Sequence, residues 1–152
     1  MFRRKGFTII ELLIVIAVIA ILISIALPRF RGMQDEGKIA QAKGELRTLQ
    51  AAVESYYIHN TNTYPSANTT WESSLVNATP NLIAAALVDP FNGATQYGYA
   101  TDGASPAKYY VIYSVGVGGN GAATISTAGV VTETNGTSCI YISNGATKDT
   151  QP

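Results

Sequence analysis

The chain has 152 residues, with 10 Lys and Arg, 10 Asp and Glu, one His and one Cys, so its formal net charge is zero. This length accommodates one ordinary domain, and a neutral sum provides no basic footprint for nucleic acid. One cysteine forms neither an internal disulfide nor a cysteine-based metal cluster, and one histidine leaves little for a metal centre or a catalytic triad, so we nominate no catalytic residue.

Charge and residue types are unevenly distributed along the chain. Residues 1–47 carry eight of the ten basic residues and four of the ten acidic ones, and the remainder carries two and six. All nine tyrosines lie after residue 55, and ten of the fourteen glycines lie at or after Gly93. The composition therefore predicts a segmented molecule, with a basic and apolar first part and a tyrosine- and glycine-rich second part.

The first predicted element is a membrane-spanning helix between Phe7 and Leu27. Within these 21 residues only Thr8, Glu11 and Ser24 are polar. A helix of that length is about 30 Å long, which matches one hydrocarbon core. Three basic residues precede the segment, so the positive-inside rule predicts a cytoplasmic N-terminus and places the rest of the chain on the other side.

Two less specialised interpretations of this segment stay open. A plain single-span anchor would have much the same sequence. A secretory signal peptide is also compatible, because Ser24-Ile25-Ala26 loosely matches a small-x-small cleavage site. Against the signal peptide, the apolar run is longer than the usual apolar core of about 7–15 residues, and it contains a carboxylate.

Glu11 is the most informative residue of the segment. An acid inside an apolar span costs up to about 3 kcal/mol near the bilayer centre and indicates a functional site with a partner. No basic residue lies within the span, and the nearest cations are Arg3, Arg4 and Lys5. The residues themselves leave two interpretations: the partner comes from another molecule, or the acid snorkels to the interface and is tolerated.

The same segment resembles the class III signal of type IV pilins and type II secretion pseudopilins. The resemblance lies in the basic leader, the Gly6-Phe7 junction, Glu11 four residues after Phe7, the unbroken apolar helix, and Pro28 at its end. It implies that a membrane-embedded prepilin peptidase cuts between Gly6 and Phe7 and then N-methylates Phe7. It also implies that Glu11 is the inter-subunit assembly residue, which pairs with the new ammonium group of a neighbouring subunit.

A second, amphipathic part of the helix follows Pro28, where we predict a helix kink. Apolar residues spaced three and four apart form a single stripe, which predicts that this part packs on a sheet: Ile39, Ala42, Leu46, Leu49, Val53 and Tyr56. The chain is thereby divided into a leader (1–6), a transmembrane and assembly helix (7–28), its amphipathic continuation (29–60) and a periplasmic region (61–152).

The periplasmic region is predicted to be mostly strand. A short helix is expected at 71–75, an apolar strand or helix at 82–88, and a turn at Asp89-Pro90-Phe91-Asn92-Gly93. Strands are expected at 95–101 and 108–115, and a hairpin at 130–143 around Asn135-Gly136. The predicted fold class is therefore α+β: a long N-terminal helix packed on an antiparallel sheet of about four strands.

Within the family, this region is most similar to the major pseudopilin of type II secretion. The similarity lies in Tyr64-Pro65, the turn at 89–93 with its following tyrosines, and the glycine-rich segment at 114–121. The family loop carries aspartates that hold a structural calcium ion. Here Val117 stands where an acid is expected, and no Asp or Glu lies between residues 108 and 133. We therefore predict a glycine-rich bend, and we assign no metal residue and no cofactor.

The resemblance implies a non-enzymatic subunit of a helical homopolymer that drives protein export, made in the inner membrane with its C-terminal region in the periplasm. The implied partners are further copies of the chain, prepilin peptidase, minor pseudopilins or pilins, and an inner-membrane assembly platform. A type IV pilin for adhesion, twitching or DNA uptake is the first alternative, and the one in which nucleic acid is expected. A single-span anchored periplasmic binding module is the second. The single Cys139 favours a pseudopilin over a pilin closed by a cysteine pair, and we expect it to be a core residue.

Overall fold

A computed structural model of the chain describes residues 6–93, 95–134 and 138–145. The chain divides into two compact units, Met1–Gly37 and Lys38–Pro152. One helix, α1 (Ile9–His59), contributes residues to both units. Its two parts have different surroundings and are described separately.

The N-terminal unit consists of the first part of α1, which begins two residues later than predicted. Apolar side chains cover all sides of this part, and the large ones from Phe7 to Ile25 are 46–82% exposed. A helix that is apolar all round is stable only when lipid or other protein covers it. Its length and composition are those of a membrane span. Pro28 lies within α1, and the kink expected there stays a prediction.

The C-terminal unit is built on the second part of α1. The predicted stripe is confirmed, because its four central residues are buried in the main core and its ends, Ile39 and Tyr56, pack against that core. Ala52 is a further buried position on the same face. A short helix α2 (Trp71–Val76) covers the core from another side, as predicted, with Trp71 and Leu75 buried.

Five short strands complete this unit: β1 (Gly98–Thr101), β2 (Tyr110–Ser114), β3 (Ala122–Ile125), β4 (Val131–Thr134) and β5 (Ile140–Ser143). Strands β1, β2 and β5 form an antiparallel sheet in that order, and β3 and β4 form a separate antiparallel pair. Strand β2 is central. Tyr110 and Ile112 enter the core beneath α1, whereas Val111 joins a second core with residues of β3 and β4.

This topology confirms the α+β class and corrects two details of the prediction. The single sheet of about four strands is wrong, because the described strands form a three-stranded and a two-stranded sheet. The hairpin across 130–143 is also wrong, because β4 pairs with β3 and β5 pairs with β2. The physical reason is the unpredicted strand β3, a four-residue strand that begins with two alanines and supplies the partner of β4. Asn135-Gly136 lies outside the described residues.

The segment at 82–88 forms neither the helix nor the strand that we predicted. Among the described residues, this segment makes one isolated antiparallel β-bridge, between Val88 and Gln96. The segment is instead fixed by a side chain of α2, since the backbone N–H of Leu87 donates a hydrogen bond to Glu72 Oε2 at 2.6 Å. A buried carboxylate thus replaces the regular backbone pairing that the sequence had indicated.

Candidate functional site

The predicted site residues Gly6, Phe7 and Glu11 lie together at the start of α1. Thr8 caps the helix: its hydroxyl accepts a hydrogen bond from the Glu11 backbone N–H at 3.3 Å and donates one to Glu11 Oε2 at 3.4 Å. The first of these bonds satisfies one of the backbone donors that a helix N-terminus leaves free, and the second joins the two side chains. The negative charge also lies where the helix dipole favours it. The orientation of the Glu11 side chain is therefore set by Thr8 of the same chain.

Sequence analysis missed the role of Thr8, although the spacing of Thr8 and Glu11 is the usual signal for a capping box. The consequence for Glu11 concerns charge. Among the described residues its carboxylate hydrogen-bonds to a neutral hydroxyl, and a hydroxyl orients an acid without neutralising it. The cap therefore positions the carboxylate at the end of an apolar surface and leaves room for a cation from elsewhere.

Ser24, the third polar residue of the span, needs no such partner. Its hydroxyl donates to the carbonyl oxygen of Ile21 at 2.7 Å, within the same helix. This internal bond satisfies the hydroxyl in an apolar environment. Of the three polar side chains in the span, Glu11 is thus the one that carries a charge into it.

Apolar side chains around Ser24 leave the helix surface uneven. Five side chains of α1 line a shallow recess of about 360 Å³: Leu22, Ile25, Ala26, Phe30 and Met33. This recess is part of the apolar surface that the helix exposes. The N-terminal unit therefore offers a long apolar surface with a carboxylate near one end and a recess near the other.

Two hydrogen bonds between Tyr and Glu side chains join the second part of α1 to Tyr97, just before β1, and to Tyr110 of β2. The Tyr97 hydroxyl donates to Glu45 Oε2 at 2.6 Å, and the Tyr110 hydroxyl donates to Glu54 Oε1 at 2.7 Å. Burial, reinforced by these glutamates, raises the pKa of both tyrosines. Both phenols therefore stay protonated and act as donors, which is a structural role.

Glu72 is the most strongly perturbed acid of the C-terminal unit. Its side chain is fully buried, and burial raises its pKa to about 7, against the opposing effect of the hydrogen bonds that it accepts from the backbone. Its Oε1 atom has no hydrogen-bond partner among the described residues. A perturbed acid in an open cleft would suggest chemistry, but this one lies in the core and holds the 82–88 segment.

Asp89 is a second buried acid that sequence analysis treated only as part of a turn. It is 1% exposed. Its carboxylate accepts hydrogen bonds from the Ser114 hydroxyl at 2.8 Å, the Val115 N–H at 2.8 Å and the Phe91 N–H at 3.0 Å. It thereby connects the turn at 89–93 to the end of β2. The turn chemistry was visible in the sequence, whereas its long-range partners were not.

Cys139 lies in the second core, the one that contains Val111, so it is a core residue as predicted. Its thiol forms no disulfide. Burial, with smaller contributions from Glu133 and Asp89, raises the pKa of the thiol to about 12. A thiol of this kind is not a nucleophile at neutral pH. The described residues also contain no group of three or more His, Cys, Asp or Glu side chains that could hold a metal ion.

Two family profiles match the chain in succession. Residues 1–27 match the prokaryotic N-terminal methylation motif. Residues 29–133 match protein G of the type II secretion system. The second match covers more than half of the chain and extends from α1 to β4. The division between the two profiles lies next to Pro28.

Individual relatives are either protein G of type II secretion systems or type IV pilins. The type II secretion system core protein G of Pseudomonas aeruginosa is 30% identical over 79 residues, which is 52% of this chain and 55% of that protein. The corresponding protein of Pectobacterium carotovorum is 31% identical over 65 residues, or 43% of this chain and 41% of that protein. The type IV major pilin protein PilA of Myxococcus xanthus is 46% identical over 55 residues, or 36% and 25%. The chain thus spans about half the length of the Pseudomonas relative and less of the other two.

Proposed function

Because this chain belongs to the family of type II secretion system protein G, we propose that it is a structural subunit of a pilus-like filament, a pseudopilus, that drives protein export through a type II secretion system. The family is one of structural pilins and pseudopilins and is not an enzyme class. The observation that carries the proposal is the first part of α1, an apolar surface exposed on all sides with one carboxylate at its end.

The exposed apolar surface supports a protein that occupies two environments in turn. Covering one large apolar side chain stabilises a structure by about 1.5–3 kcal/mol, so this helix cannot stay in water. Lipid covers it in the single-span precursor, with the N-terminus cytoplasmic and the C-terminal unit periplasmic. Helices of neighbouring copies cover it in the filament. Since each copy offers the same helix to different neighbours, growth is open-ended.

Glu11 sets the register between copies in this proposal. Processing exposes an ammonium group on Phe7, and that group pairs with the Glu11 carboxylate of an adjacent subunit inside the apolar bundle. A buried ion pair contributes little net stability, because desolvation offsets the attraction. An unpaired buried carboxylate is strongly unfavourable, so the pair selects one alignment of the helices. The Thr8 hydroxyl holds the carboxylate at the helix end.

Removal of the leader makes that burial feasible. Prepilin peptidase cuts between Gly6 and Phe7, and the products of the cut differ in charge. The lost segment contains three basic residues, so the processed chain has 7 basic and 10 acidic residues, a formal charge of −3. N-methylation keeps the Phe7 ammonium charged. Residues 1–6 thus form the leader, 7–28 the assembly helix, 29–60 its continuation bent at Pro28, and 61–152 the periplasmic region.

The test is the N-terminus of the purified protein. The full chain is expressed with prepilin peptidase and the assembly platform, and the N-terminal peptide is identified by mass spectrometry. We expect it to begin with N-methylated Phe7. A peptide that begins at Met1 would show a plain anchor, and one that begins at Leu27 would show a secretory signal peptide. Either result would contradict the proposal.

A type IV pilin is the second candidate, favoured by the 46% identity to the Myxococcus pilin over 55 residues. The two functions predict different defects when the gene is deleted. Loss of secreted proteins from the medium, with surface pili retained, supports the pseudopilus. Loss of surface pili with secretion intact supports the pilin. The match of residues 29–133 to protein G is the reason for preferring the first.

A further inference from the structure

The structural calcium ion that the resemblance implies does not fit the residues of the glycine-rich loop, defined here as residues 114–121. Calcium takes six to eight oxygen ligands, and carboxylates supply its charge balance. No Asp or Glu lies between residues 108 and 133, so the loop itself provides only carbonyl and hydroxyl oxygens. Among the described residues, Asp89 is the acid to which the loop donates hydrogen bonds, and both of its oxygens already accept hydrogen bonds from the protein.

The contacts of Asp89 lie at the first three residues of the glycine-rich loop. One oxygen, Oδ2, accepts the Val115 N–H at the first turn of the loop. The other, Oδ1, accepts the Ser114 hydroxyl, and the oxygen of that hydroxyl accepts the Gly116 N–H at 3.2 Å. Because Asp89 and Ser114 are both buried, water does not compete for these bonds, and a charged acceptor strengthens them.

The rest of the loop closes on itself and on the segment before β5. Within the loop, Gly119 N–H donates to the Gly116 carbonyl at 3.0 Å, and Gly121 N–H donates to the Val115 carbonyl at 2.9 Å. The Ser138 hydroxyl donates to the Val117 carbonyl at 2.7 Å. Gly116 has a positive φ, and a Cβ there would overlap the Ser138 carbonyl. These bonds fix the loop at several points, and Asp89, which lies outside the loop, is their charged partner among the described residues.

We propose that Asp89 takes the role of a bound cation in this chain, so that the glycine-rich loop forms without calcium and depends on the Asp89 carboxylate instead. The carboxylate gathers the N–H and O–H groups at the end of β2, as a cation would gather oxygens. The role is one of positioning, and it is independent of whether the chain assembles into a pseudopilus or a pilus.

Hydrogen exchange on the full-length protein in detergent tests this proposal. Deuterium uptake of the peptide that contains residues 114–121 is measured by mass spectrometry with a chelator and with calcium chloride at about 5 mM, which exceeds the Kd of extracellular calcium modules. We expect the two uptake curves to coincide for the wild-type protein. We expect Asp89→Asn to speed exchange of this peptide about tenfold or more in both solutions.

Asp102→Asn is the matched control. Like Asp89, Asp102 accepts three hydrogen bonds, in this case from the backbone N–H groups of Ala104, Lys108 and Tyr109 at 3.1–3.2 Å. It lies in the connection between β1 and β2. Its variant should leave exchange at 114–121 unchanged. If Asp89→Asn does not fold, Ser114→Ala removes one of the three hydrogen bonds that Asp89 accepts, together with the bond from the Gly116 N–H to the Ser114 hydroxyl, and should give a smaller acceleration.

Two results would overturn the proposal. The first is a wild-type loop that exchanges more slowly with calcium than with chelator, since that would identify a bound cation. The second is a folded Asp89→Asn or Ser114→Ala protein whose loop exchanges at the wild-type rate. Neither result bears on N-methylation of Phe7, so failure here is distinguishable from failure of the proposed function.

Discussion

Leu13 and Leu46 both lie on α1, yet the side chain of Leu13 is 54% exposed and that of Leu46 is 2% exposed. Around Leu13 the apolar residues cover every side of the helix, so no folding of the chain onto one face could bury them all. Around Leu46 they form one stripe, which the sheet and α2 cover. The C-terminal unit therefore buries its own apolar residues, whereas the N-terminal unit exposes apolar residues that no other described part of the unit covers.

Replacing Glu11 by Ala should have the largest effect, because it removes the one charged side chain between Phe7 and Leu27. We expect the variant to insert in the membrane and to be cleaved, but to yield few or no filaments, since the Phe7 ammonium then has no carboxylate partner in the apolar bundle. Filament yield is measured by electron microscopy and by shearing. The control is Glu36→Ala, an exposed acid on the same helix. Normal filament yield from Glu11→Ala would refute the pairing.

A pair of leucine variants separates the two parts of α1 directly. Leu46→Ala should lower the free energy of unfolding of the C-terminal unit by about 2–5 kcal/mol, because it opens a cavity in a packed core. Leu13→Ala, the matched control, should leave that free energy unchanged within about 0.5 kcal/mol. Denaturant unfolding of the detergent-solubilised monomer provides the measurement. Equal effects of the two variants would contradict the division between the units.

The pH dependence of the free energy of unfolding tests whether the Glu72 carboxyl group is buried in the folded protein. Burial raises the pKa of Glu72 from 4.5 to about 7, so between these values the folded state binds more protons than the unfolded state. Stability should therefore fall as pH rises from about 4.5 to about 7, by on the order of 3 kcal/mol from this group, and then level off.

Glu72→Gln should remove this slope, because the amide oxygen can still accept the Leu87 N–H and carries no charge. The variant should be more stable than the wild-type protein at pH 8 and similar to it at acidic pH. Unfolding curves across this pH range give the comparison. A variant with a pH slope as steep as that of the wild-type protein would show that other groups cause the dependence.

The smallest effect is expected at the helix cap. Thr8→Ala removes the hydroxyl that accepts the Glu11 N–H, and loss of an N-cap typically costs about 0.5–2 kcal/mol. Helical content in detergent, measured by circular dichroism, should fall only slightly, whereas filament yield should fall measurably because the Glu11 carboxylate is less well oriented. Thr8→Ser keeps the cap and should restore the wild-type yield. An unchanged yield in Thr8→Ala would limit the cap to local stability.

Much of the architecture could be predicted because it depends on local periodicity. The stripe that includes Leu46 and Leu49 defines a helix with one buried face, and the short helix at Trp71 was also predicted. The sheet partition could not be predicted, because β3 is only four residues long with two alanines, and because the pairing of β5 with β2 joins residues about thirty positions apart. The candidate site at Gly6, Phe7 and Glu11 stays a prediction from their spacing, and the structure adds the Thr8 cap, which sequence analysis overlooked.

By itself the sequence determined that an apolar helix precedes an amphipathic one, since hydrophobic period is a local property of the chain. It also determined that the glycine-rich loop has no acid of its own. Only the tertiary structure decided which acid serves that loop, because Asp89 and Ser114 are 25 residues apart and meet only when the turn packs against the end of β2. Likewise, only packing decided that Glu72 is buried. The positions of these two buried acids depend on contacts with residues far away in the chain, and no local sequence pattern specifies such contacts.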